Sequence, residues 1–324
     1  MMKTISAFNK KGGIGKTSSV ISIGSELACL GYRVLLIDGD PSGNLSGFFS
    51  DSVGLQKLSP TLCDYFNGNA DSDELIHQFH FQRFPGDRFV VHMTCQSEPV
   101  SKTRYYTIVS SIDPDFPDDP DLDYMDIDPS EYSKLKLSRE CTISVISFGY
   151  VDDPSQSVTI TDSESDQDFL KQLLKEYQDS FDYVLIDCPP EDMDITRPIL
   201  KACDYALVPT EPANDSITGI ASLLGMIEQI QDSSHPIRPL GIYFTKANMQ
   251  ESVTKKLIRR LRKGLQDEGL LFTTIIRRDS LQEKSRDAAM PLPILRPAST
   301  LAKEYKDLTY EILNKIKTLD DGGQ

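Results

Sequence analysis

Short apolar runs alternate with longer amphipathic segments along most of the chain. Residues 34–37 (VLLI) and 184–186 (VLI) are continuously apolar, which is typical of strands that are buried on both faces. Between several such runs, apolar residues recur at the three- to four-residue spacing of a helix. This alternation predicts βαβ crossovers and an α/β fold with a mostly parallel, twisted sheet and helices on both faces.

The pattern also sets the expected organisation of the chain. No internal repeat is present, so we expect one domain over residues 1–324, with an insertion at about 85–140. The predicted strands cover residues 4–9, 33–38, 89–93, 142–148, 183–188, 205–209, 240–244 and 271–276. The predicted helices cover residues 16–30, 168–179, 195–202, 216–231, 250–269 and 299–317.

Composition excludes several classes of protein. Apolar residues make up 39% and charged residues 26%, which is ordinary for a folded globular chain. No run approaches the roughly 18 apolar residues of a membrane helix, and the first residues are too polar for a secretory signal. The six cysteines are far apart and form no C-x-x-C pair, which argues against a disulfide framework. We therefore expect a cytoplasmic protein without membrane insertion.

The net charge of −15 is concentrated in one part of the predicted insertion. Residues 112–132 contain nine carboxylates, four prolines and no Lys or Arg, and the rest of the chain carries only −6. Proline disfavours both helix and central strand there, so we expect a solvated acidic, Pro-rich segment. The overall charge therefore does not decide whether DNA is a partner.

Residues 10–18, KKGGIGKTS, lie between the first predicted strand and the first predicted helix. Glycines there let the backbone curl so that successive N–H groups point at phosphate oxygens, beside the positive end of the helix. The lysine before the helix can reach the β- and γ-phosphates, and the hydroxyl after it can bind Mg²⁺. Lys10 stands where the ordinary G-x-x-x-x-G-K-[ST] loop begins with glycine, so this is a variant loop. Its predicted nucleotide-binding residues are Gly12, Gly13, Ile14, Gly15, Lys16, Thr17 and Ser18.

Three aspartates follow predicted buried strands. Asp38 and Asp40 end one strand, and Asp187 ends another. Ligands bind at the carboxyl ends of strands in a doubly wound sheet, so we expect these side chains to converge on the phosphates held by the loop. Carboxylates there can hold Mg²⁺, directly or through water, and can orient an attacking water. Thr17, Asp38 and Asp187 are the predicted metal-site residues.

These segments resemble one known family. KGGIGKT at 11–17, DGDPSGN at 38–44 and DCPP at 187–190 are similar to the motifs of the deviant-Walker P-loop ATPases, which include the ParA partitioning proteins and MinD. The likeness covers about residues 3–66 and 168–316 and is closest to the ParA branch, although Ser42 stands where that branch usually has Gln. The resemblance implies a P-loop NTPase-like fold, ATP and Mg²⁺ as ligands, and a homodimer formed around ATP.

The resemblance also implies roles for single residues. Lys11 occupies the signature-lysine position and would reach the ATP of the partner subunit. Asp40 would position the hydrolytic water, and the catalytic set is Lys11, Lys16 and Asp40. Thr245 and Asn248, which follow a predicted strand, are candidates for contact with adenine. The loop at residues 209–212 is a vaguer candidate.

The segment 253–265 predicts a helix with two different faces. Leu257, Ile258, Leu261 and Leu265 fall on one side at 100° per residue, and six basic residues fall on the other. Such a cluster in an acidic chain favours contact with a DNA backbone, without sequence reading; the alternative is a solvated amphipathic helix. The predicted DNA-binding residues are Lys255, Lys256, Arg259, Arg260, Arg262 and Lys263.

The predicted function is a Mg²⁺-dependent ATPase that forms an ATP-sandwich dimer and binds DNA non-specifically, to partition or position DNA or another cargo. The resemblance implies a ParB-like or other stimulating partner and a nucleoid-associated location. The first alternative is a MinD-like positioning ATPase that acts at a membrane or through protein partners only. The second is a small-molecule ATP-dependent enzyme on the same fold. His77 and His80 form H-x-x-H without a nearby third ligand, so we expect them to lie at the surface or half-buried and not to bind a metal.

Overall fold

The computed structural model describes residues 1–52, 57–84, 88–97, 100–109, 139–149, 159–190, 193–213, 216–230, 237–265 and 269–322. Within them the strands are β1 (Lys3–Ala7), β2 (Val34–Asp38), β3 (His77–Phe84), β4 (Arg88–Ser97), β5 (Val100–Val109), β6 (Arg139–Ile146), β7 (Tyr183–Asp187), β8 (Tyr205–Thr210), β9 (Arg238–Ala247) and β10 (Leu271–Arg277). The helices are α1 (Lys16–Cys29), α2 (Asn44–Ser52), α3 (Leu62–Phe66), α4 (Glu164–Glu176), α5 (Thr196–Ala202), α6 (Ser216–Ile230), α7 (Ser252–Leu265), α8 (Leu281–Asp287), α9 (Leu292–Leu295) and α10 (Thr300–Asp321).

The strands form a single sheet in the order β10-β9-β8-β1-β7-β2-β6-β3-β4-β5. The strands from β10 to β6 are mutually parallel, and β3, β4 and β5 extend the sheet in antiparallel fashion. β1 lies between β7 and β8, so the segment that follows β1 emerges at the centre of the carboxyl edge. The predicted α/β fold with a mostly parallel sheet is confirmed.

Successive residues of a strand point to opposite faces of the sheet. In the buried strands both faces are apolar, and helices cover each of them. Leu36 faces a core shared with α1, α9 and α10, whereas Leu35 faces a second core shared with α4, α5 and α6. α7 packs through Ile258 and Leu261 against Phe244 and Ala247 of β9. This arrangement is doubly wound, as predicted.

The predicted strands and helices are all present, with shifted ends. α4 begins four residues before its predicted start because the Ser163 hydroxyl accepts a hydrogen bond from the Asp166 N–H at 3.3 Å and caps the helix. β9 is longer than predicted at both ends. The sequence analysis missed β3, β5 and the short helices α2, α3, α8 and α9.

The predicted insertion contributes strands to the sheet. β4 and β5 pair with each other, and β4 pairs with β3, whose other neighbour is β6. The acidic segment 112–132 lies outside the described residues, and the division into one domain with an insertion stays a prediction. None of the helices in the described ranges is both long and apolar enough to cross a bilayer.

The C-terminal helix α10 closes one edge of the sheet. Apolar residues at three- and four-residue spacing form one stripe along this helix, and every member is buried. On its other side, the Glu311 carboxylate accepts hydrogen bonds from the N–H groups of Thr273 and Thr274 at 2.7 and 2.8 Å, and Glu304 accepts one from the Arg277 N–H at 2.9 Å. Two glutamates of α10 therefore satisfy backbone donors along β10. The stripe comprises Leu301, Tyr305, Leu308, Ile312 and Ile316.

Candidate active site

The segment after β1 forms a glycine-dependent turn that leads directly into α1. Gly13 and Gly15 have φ angles of 70° and 90°, in the left-handed region that glycine adopts readily. Gly15 is the residue at the N-cap of α1, and it has no side chain with which to cap the first-turn N–H groups. These N–H groups and the positive end of the helix dipole are therefore available to bind an anion.

Lys16 places its ammonium group inside this loop. The side chain is buried, and its Nζ donates to the carbonyl oxygens of Asn9 at 3.1 Å and Lys11 at 3.3 Å. Burial lowers the pKa of Lys16, although Asp187 and Asp40 oppose that shift. The loop therefore surrounds a desolvated positive charge, which suits a phosphate ligand.

Thr17 and Asp187 form a pair that fits a divalent cation. The Thr17 hydroxyl donates to Asp187 Oδ2 at 2.5 Å, while the buried Oδ1 of the same carboxylate has no hydrogen-bond partner. Burial and the neighbouring Asp38 raise the pKa of Asp187 well above its usual range. Hard oxygen ligands of this kind suit Mg²⁺. No cluster of three or more His, Cys, Asp or Glu ligands occurs in the described residues, so phosphate oxygens and water would have to complete the shell.

The Asp38 carboxylate accepts hydrogen bonds within the turn that follows β2. Its Oδ2 accepts from the N–H and hydroxyl of Ser46 at 2.8 and 2.7 Å, and its Oδ1 accepts from the Asp40 N–H at 3.2 Å. Burial raises the pKa of Asp38 to about 6. Asp38 therefore shapes the turn that carries Asp40, and its place beside Mg²⁺ stays a prediction.

Asp40 is half-buried at the start of that turn. Its Oδ1 accepts a hydrogen bond from the Ser42 N–H at 2.9 Å, and the Ser42 hydroxyl accepts one from Asn44 Nδ2 at 2.7 Å. The serine at position 42 is exposed and uses its side chain within the turn. The Asp40 carboxylate is consequently oriented by its own loop.

Gly39 allows the ends of β2 and β7 to approach each other. A Cβ at this position would lie 2.6 Å from Ile199 Cδ1 and 2.8 Å from the Asp187 carbonyl oxygen. Its N–H donates to that same oxygen at 2.9 Å. The close approach holds the chain between Asp38 and Asp40 against the Asp187 strand.

Lys11 lies at the outer rim of the loop. Its side chain is half exposed, and its Nζ is 3.9 Å from Glu211 Oε2. Asn9 fixes its backbone, because Asn9 Oδ1 accepts from the Lys11 N–H at 3.0 Å and Asn9 Nδ2 donates to the Pro209 carbonyl at 2.7 Å. The 209–212 segment thus lies against the phosphate loop, beside a cavity of about 160 Å³. Asn9 was not predicted from the sequence, whereas Glu211 lies within the 209–212 segment that was named as a vaguer candidate for adenine contact.

The two candidates for adenine contact differ in position. Thr245 is buried, and its hydroxyl donates to the Ile14 carbonyl at 2.8 Å. Asn248 is exposed, and its Nδ2 donates to Glu251 Oε1 at 2.7 Å. The structure therefore brings Thr245 to the loop and leaves Asn248 in the turn before α7. Adenine contact stays a prediction for both.

His77 and His80 lie on strand β3 and do not form a metal pair. Positions three apart on a strand face opposite sides of the sheet. The buried His77 has its Nε2 at 3.2 Å from the Pro60 carbonyl, and His80 Nδ1 is 2.7 Å from the Thr142 hydroxyl. His77 is therefore more buried than the sequence predicted, whereas His80 is half-buried as expected.

The predicted basic helix is confirmed as α7, with its basic residues on the surface. Ile258 and Leu261 are buried, and all six predicted DNA-binding side chains are exposed. Arg262 also donates to the Thr273 carbonyl at 2.8 Å. Arg277 Nη2 lies 2.7 Å from Glu304 Oε1. α7 thus presents an exposed basic face.

A comparison with family models decides the classification. Residues 2–95 and 144–238 match the family described as "AAA domain", which includes the phosphate loop and the strands that carry Asp38, Asp40 and Asp187. The chain belongs to this family. It is a P-loop ATPase of the ParA/MinD type, as the resemblance of its motifs predicted.

Individual relatives of this AAA-domain protein span nearly its whole length. It is 24% identical to the chromosome-partitioning ATPase Soj of Treponema pallidum, over 97% of this chain and 98% of the relative. Its fold is similar to the cell division ATPase MinD of Pyrococcus furiosus (TM-score 0.64, 18% identity, 97% and 99% coverage). It is also similar to cobyrinic acid a,c-diamide synthase of Mycobacterium smegmatis, crystallised with ADP and magnesium (TM-score 0.63, 19% identity, 98% and 96% coverage). These two likenesses establish the fold alone.

The buried Asp38 predicts a pH dependence of stability in the nucleotide- and metal-free protein. Its pKa is about 6 when folded and about 4 when unfolded, so the folded chain binds more protons between those values. The free energy of unfolding should therefore fall as pH rises from 4 to 6, by about 3 kcal/mol from this group. Asp187, shifted in the same direction, should extend the decline to higher pH. Urea unfolding of wild type and Asp38→Asn across pH 4–8 measures the difference, and parallel profiles would contradict the assignment.

Proposed function

We propose that the protein is a Mg²⁺-dependent ATPase that dimerises around ATP, binds DNA non-specifically in that state, and partitions or positions DNA or another cargo. The exposed basic face of α7 is the observation that carries the DNA part of this proposal. Family membership supports the ATPase part. A nucleoid-associated location follows from DNA binding.

The chain's own residues account for nucleotide binding. The uncapped first-turn N–H groups of α1 would bind phosphate, and the Lys16 ammonium, which donates to two carbonyls in the free loop, would donate to phosphate oxygens instead. Thr17 and the unpartnered Oδ1 of Asp187 would hold Mg²⁺, which supplies neutralisation of phosphate charge when bound. Asp40 orients the attacking water from its fixed turn.

Lys11 supplies the link between hydrolysis and dimerisation. Its half-exposed side chain lies at the rim of the loop, 3.9 Å from Glu211 Oε2, where a second subunit could reach it. In the proposed dimer it neutralises the partner's nucleotide, so two lysines from different subunits act on each ATP. A ParB-like or other stimulating protein would act on this assembly.

Two alternatives keep the same nucleotide site. In a MinD-like positioning ATPase, a membrane or protein partner replaces DNA; in a small-molecule enzyme, a second substrate does. The basic face of α7 favours DNA over both alternatives, because six exposed cationic side chains occupy one helix of an acidic chain.

The test is the double variant Arg259→Glu with Arg260→Glu. Both residues are exposed on α7, and Arg262 is left in place because it contacts the Thr273 backbone. We expect ATP-dependent DNA affinity to fall at least tenfold near 100 mM salt, since phosphate contacts are lost and like charges are introduced. The slope of log affinity against log salt should shrink by about two.

The matched control is Lys171→Glu with Lys175→Glu on α4, which makes the same change of charge far along the sheet from β9. It should retain DNA affinity, and both double variants should retain ATP affinity. Equal DNA affinity in wild type and the α7 variant would refute the assignment. Co-sedimentation with anionic vesicles in the presence of ATP, without DNA binding, would select the membrane alternative.

A further inference from the structure

The end of β9 contacts the outer side of the phosphate loop through two successive residues. The Thr245 hydroxyl donates to the Ile14 carbonyl at 2.8 Å, and Lys246 Nζ donates to the Gly13 carbonyl. Two neighbouring carbonyl oxygens of the loop are therefore held by two neighbouring side chains of one strand. Neither contact involves a residue of helix α1.

Lys246 has an unusual backbone conformation for this purpose. Its φ angle is 50°, and among the described residues other than glycine only Ala289 shares the positive sign. Such a conformation is uncommon and unfavourable for a residue with a side chain. Immediately after it, the Ala247 carbonyl accepts the Arg278 N–H at 3.1 Å, which anchors the chain beyond the kink. The kink directs Lys246 toward the loop.

The stem of Lys246 passes beside Gly15 at an ordinary van der Waals distance. A Cβ built on Gly15 would lie 4.0 Å from Lys246 Cε, with no other heavy atom nearer in the described structure. The side chain of Lys246 itself is exposed. Its position therefore results from the hydrogen bond and the kink, and burial contributes little.

The consequence follows from the planarity of the peptide bond. In a trans peptide the C=O and the N–H of the next residue point in opposite directions. Holding the Gly13 and Ile14 carbonyls on the β9 side turns the N–H groups of Ile14 and Gly15 toward the opposite side. Successive N–H groups on one side of a turn form an anion-binding concavity.

We propose that Thr245 and Lys246 form a clamp that pre-orients the Ile14 and Gly15 N–H groups for polyphosphate. Lys246 is a positioning residue in this scheme, and its ammonium makes the hydrogen bond to Gly13 charge-assisted. The ligand class is a polyphosphate chain, with or without a nucleoside. The clamp concerns the nucleotide site alone, so its failure would leave the DNA-binding proposal untouched.

The test is the affinity of the full-length protein for three ligands with Mg²⁺: ATP, ADP and inorganic tripolyphosphate. Lys246→Met keeps the side-chain stem and removes the donor, and we expect affinity for all three to fall by about the same factor, near tenfold. Lys246→Arg keeps charge and donors and should restore most of it. A loss confined to ATP and ADP would overturn the clamp in favour of contact with the nucleoside.

A spectroscopic readout separates the clamp from a general structural effect. The amide ¹H–¹⁵N resonances of Ile14 and Gly15 should shift in Lys246→Met before ligand is added and return in Lys246→Arg. Thr245→Val removes the hydrogen bond to the Ile14 carbonyl. Because both side chains hold the same loop, the fold-loss of ligand affinity in the double variant should be smaller than the product of the two single fold-losses.

Lys317→Met is the matched control. It removes the same charge from an exposed position near the end of α10, and it should leave both the affinities and the amide resonances unchanged. Unfolding temperatures of all variants should agree within a few degrees. Unchanged tripolyphosphate affinity in Lys246→Met, or unchanged Ile14 and Gly15 resonances, would overturn the proposal.

Discussion

Replacing Lys16 with methionine is expected to reduce ATP turnover about a thousandfold and ATP affinity at least tenfold. The ammonium of Lys16 is buried inside the loop and donates to the Asn9 and Lys11 carbonyls. Positive charge held in such a site acts with little screening on the phosphates. Phosphate release at saturating Mg²⁺-ATP and titration with a fluorescent ATP analogue measure the two effects.

Lys10→Met is the matched control, since it removes an exposed lysine from the start of the same segment. It should keep nearly full turnover. Lys16→Arg should not restore activity, because a planar guanidinium is bulkier than the space around the 6% exposed lysine. Wild-type affinity for ATP in Lys16→Met would remove this residue from the phosphate site.

Asp40→Ala is expected to reduce turnover at least a hundredfold and to leave ATP affinity within about threefold. The carboxylate is held by the Ser42 N–H in a turn that Asp38 maintains separately through Ser46, so the loop should survive its loss. Removal of a group that orients or activates water costs roughly 10²–10⁴ in rate. In the proposed dimer, ATP-bound protein should accumulate, and light scattering measures its mass.

Ser42→Ala provides the comparison for that variant. It removes the hydroxyl that accepts a hydrogen bond from Asn44 and keeps the backbone N–H that donates to the Asp40 carboxylate. Turnover should therefore change by less than threefold. Undiminished turnover in Asp40→Ala would exclude Asp40 from the chemistry. A fall in ATP affinity as large as the fall in rate would instead indicate that the turn had collapsed.

The parallel part of the fold was predictable because its information is local. The continuous apolar strands ending in Asp38 and Asp187 indicate two-sided burial, and parallel strands bring their carboxyl ends to one edge. β3 was missed although Phe79 and Phe81 are buried at alternate positions, because glutamine, histidine and arginine between them reduce the apolar signal. Its pairing with β6 crosses about sixty residues, which no local pattern specifies.

The long-range contacts that support the site were unpredictable for the same reason. Asn9 holds the Pro209 carbonyl, and Thr245 holds the Ile14 carbonyl, across separations of 200 and 231 residues. A single asparagine or threonine carries no pattern that names so distant a partner. The loop residues themselves were recognisable because glycine, lysine and threonine act there at fixed neighbouring positions.

The two glutamates of α10 also bear on how molecules of this protein associate. A strand at the margin of a sheet offers a row of N–H groups to which a strand of another molecule can attach. Along β10, the donors of Thr273, Thr274 and Arg277 already bond to carboxylates of the same chain. A foreign strand would have to displace charged acceptors, so fibre-like growth from that margin is disfavoured.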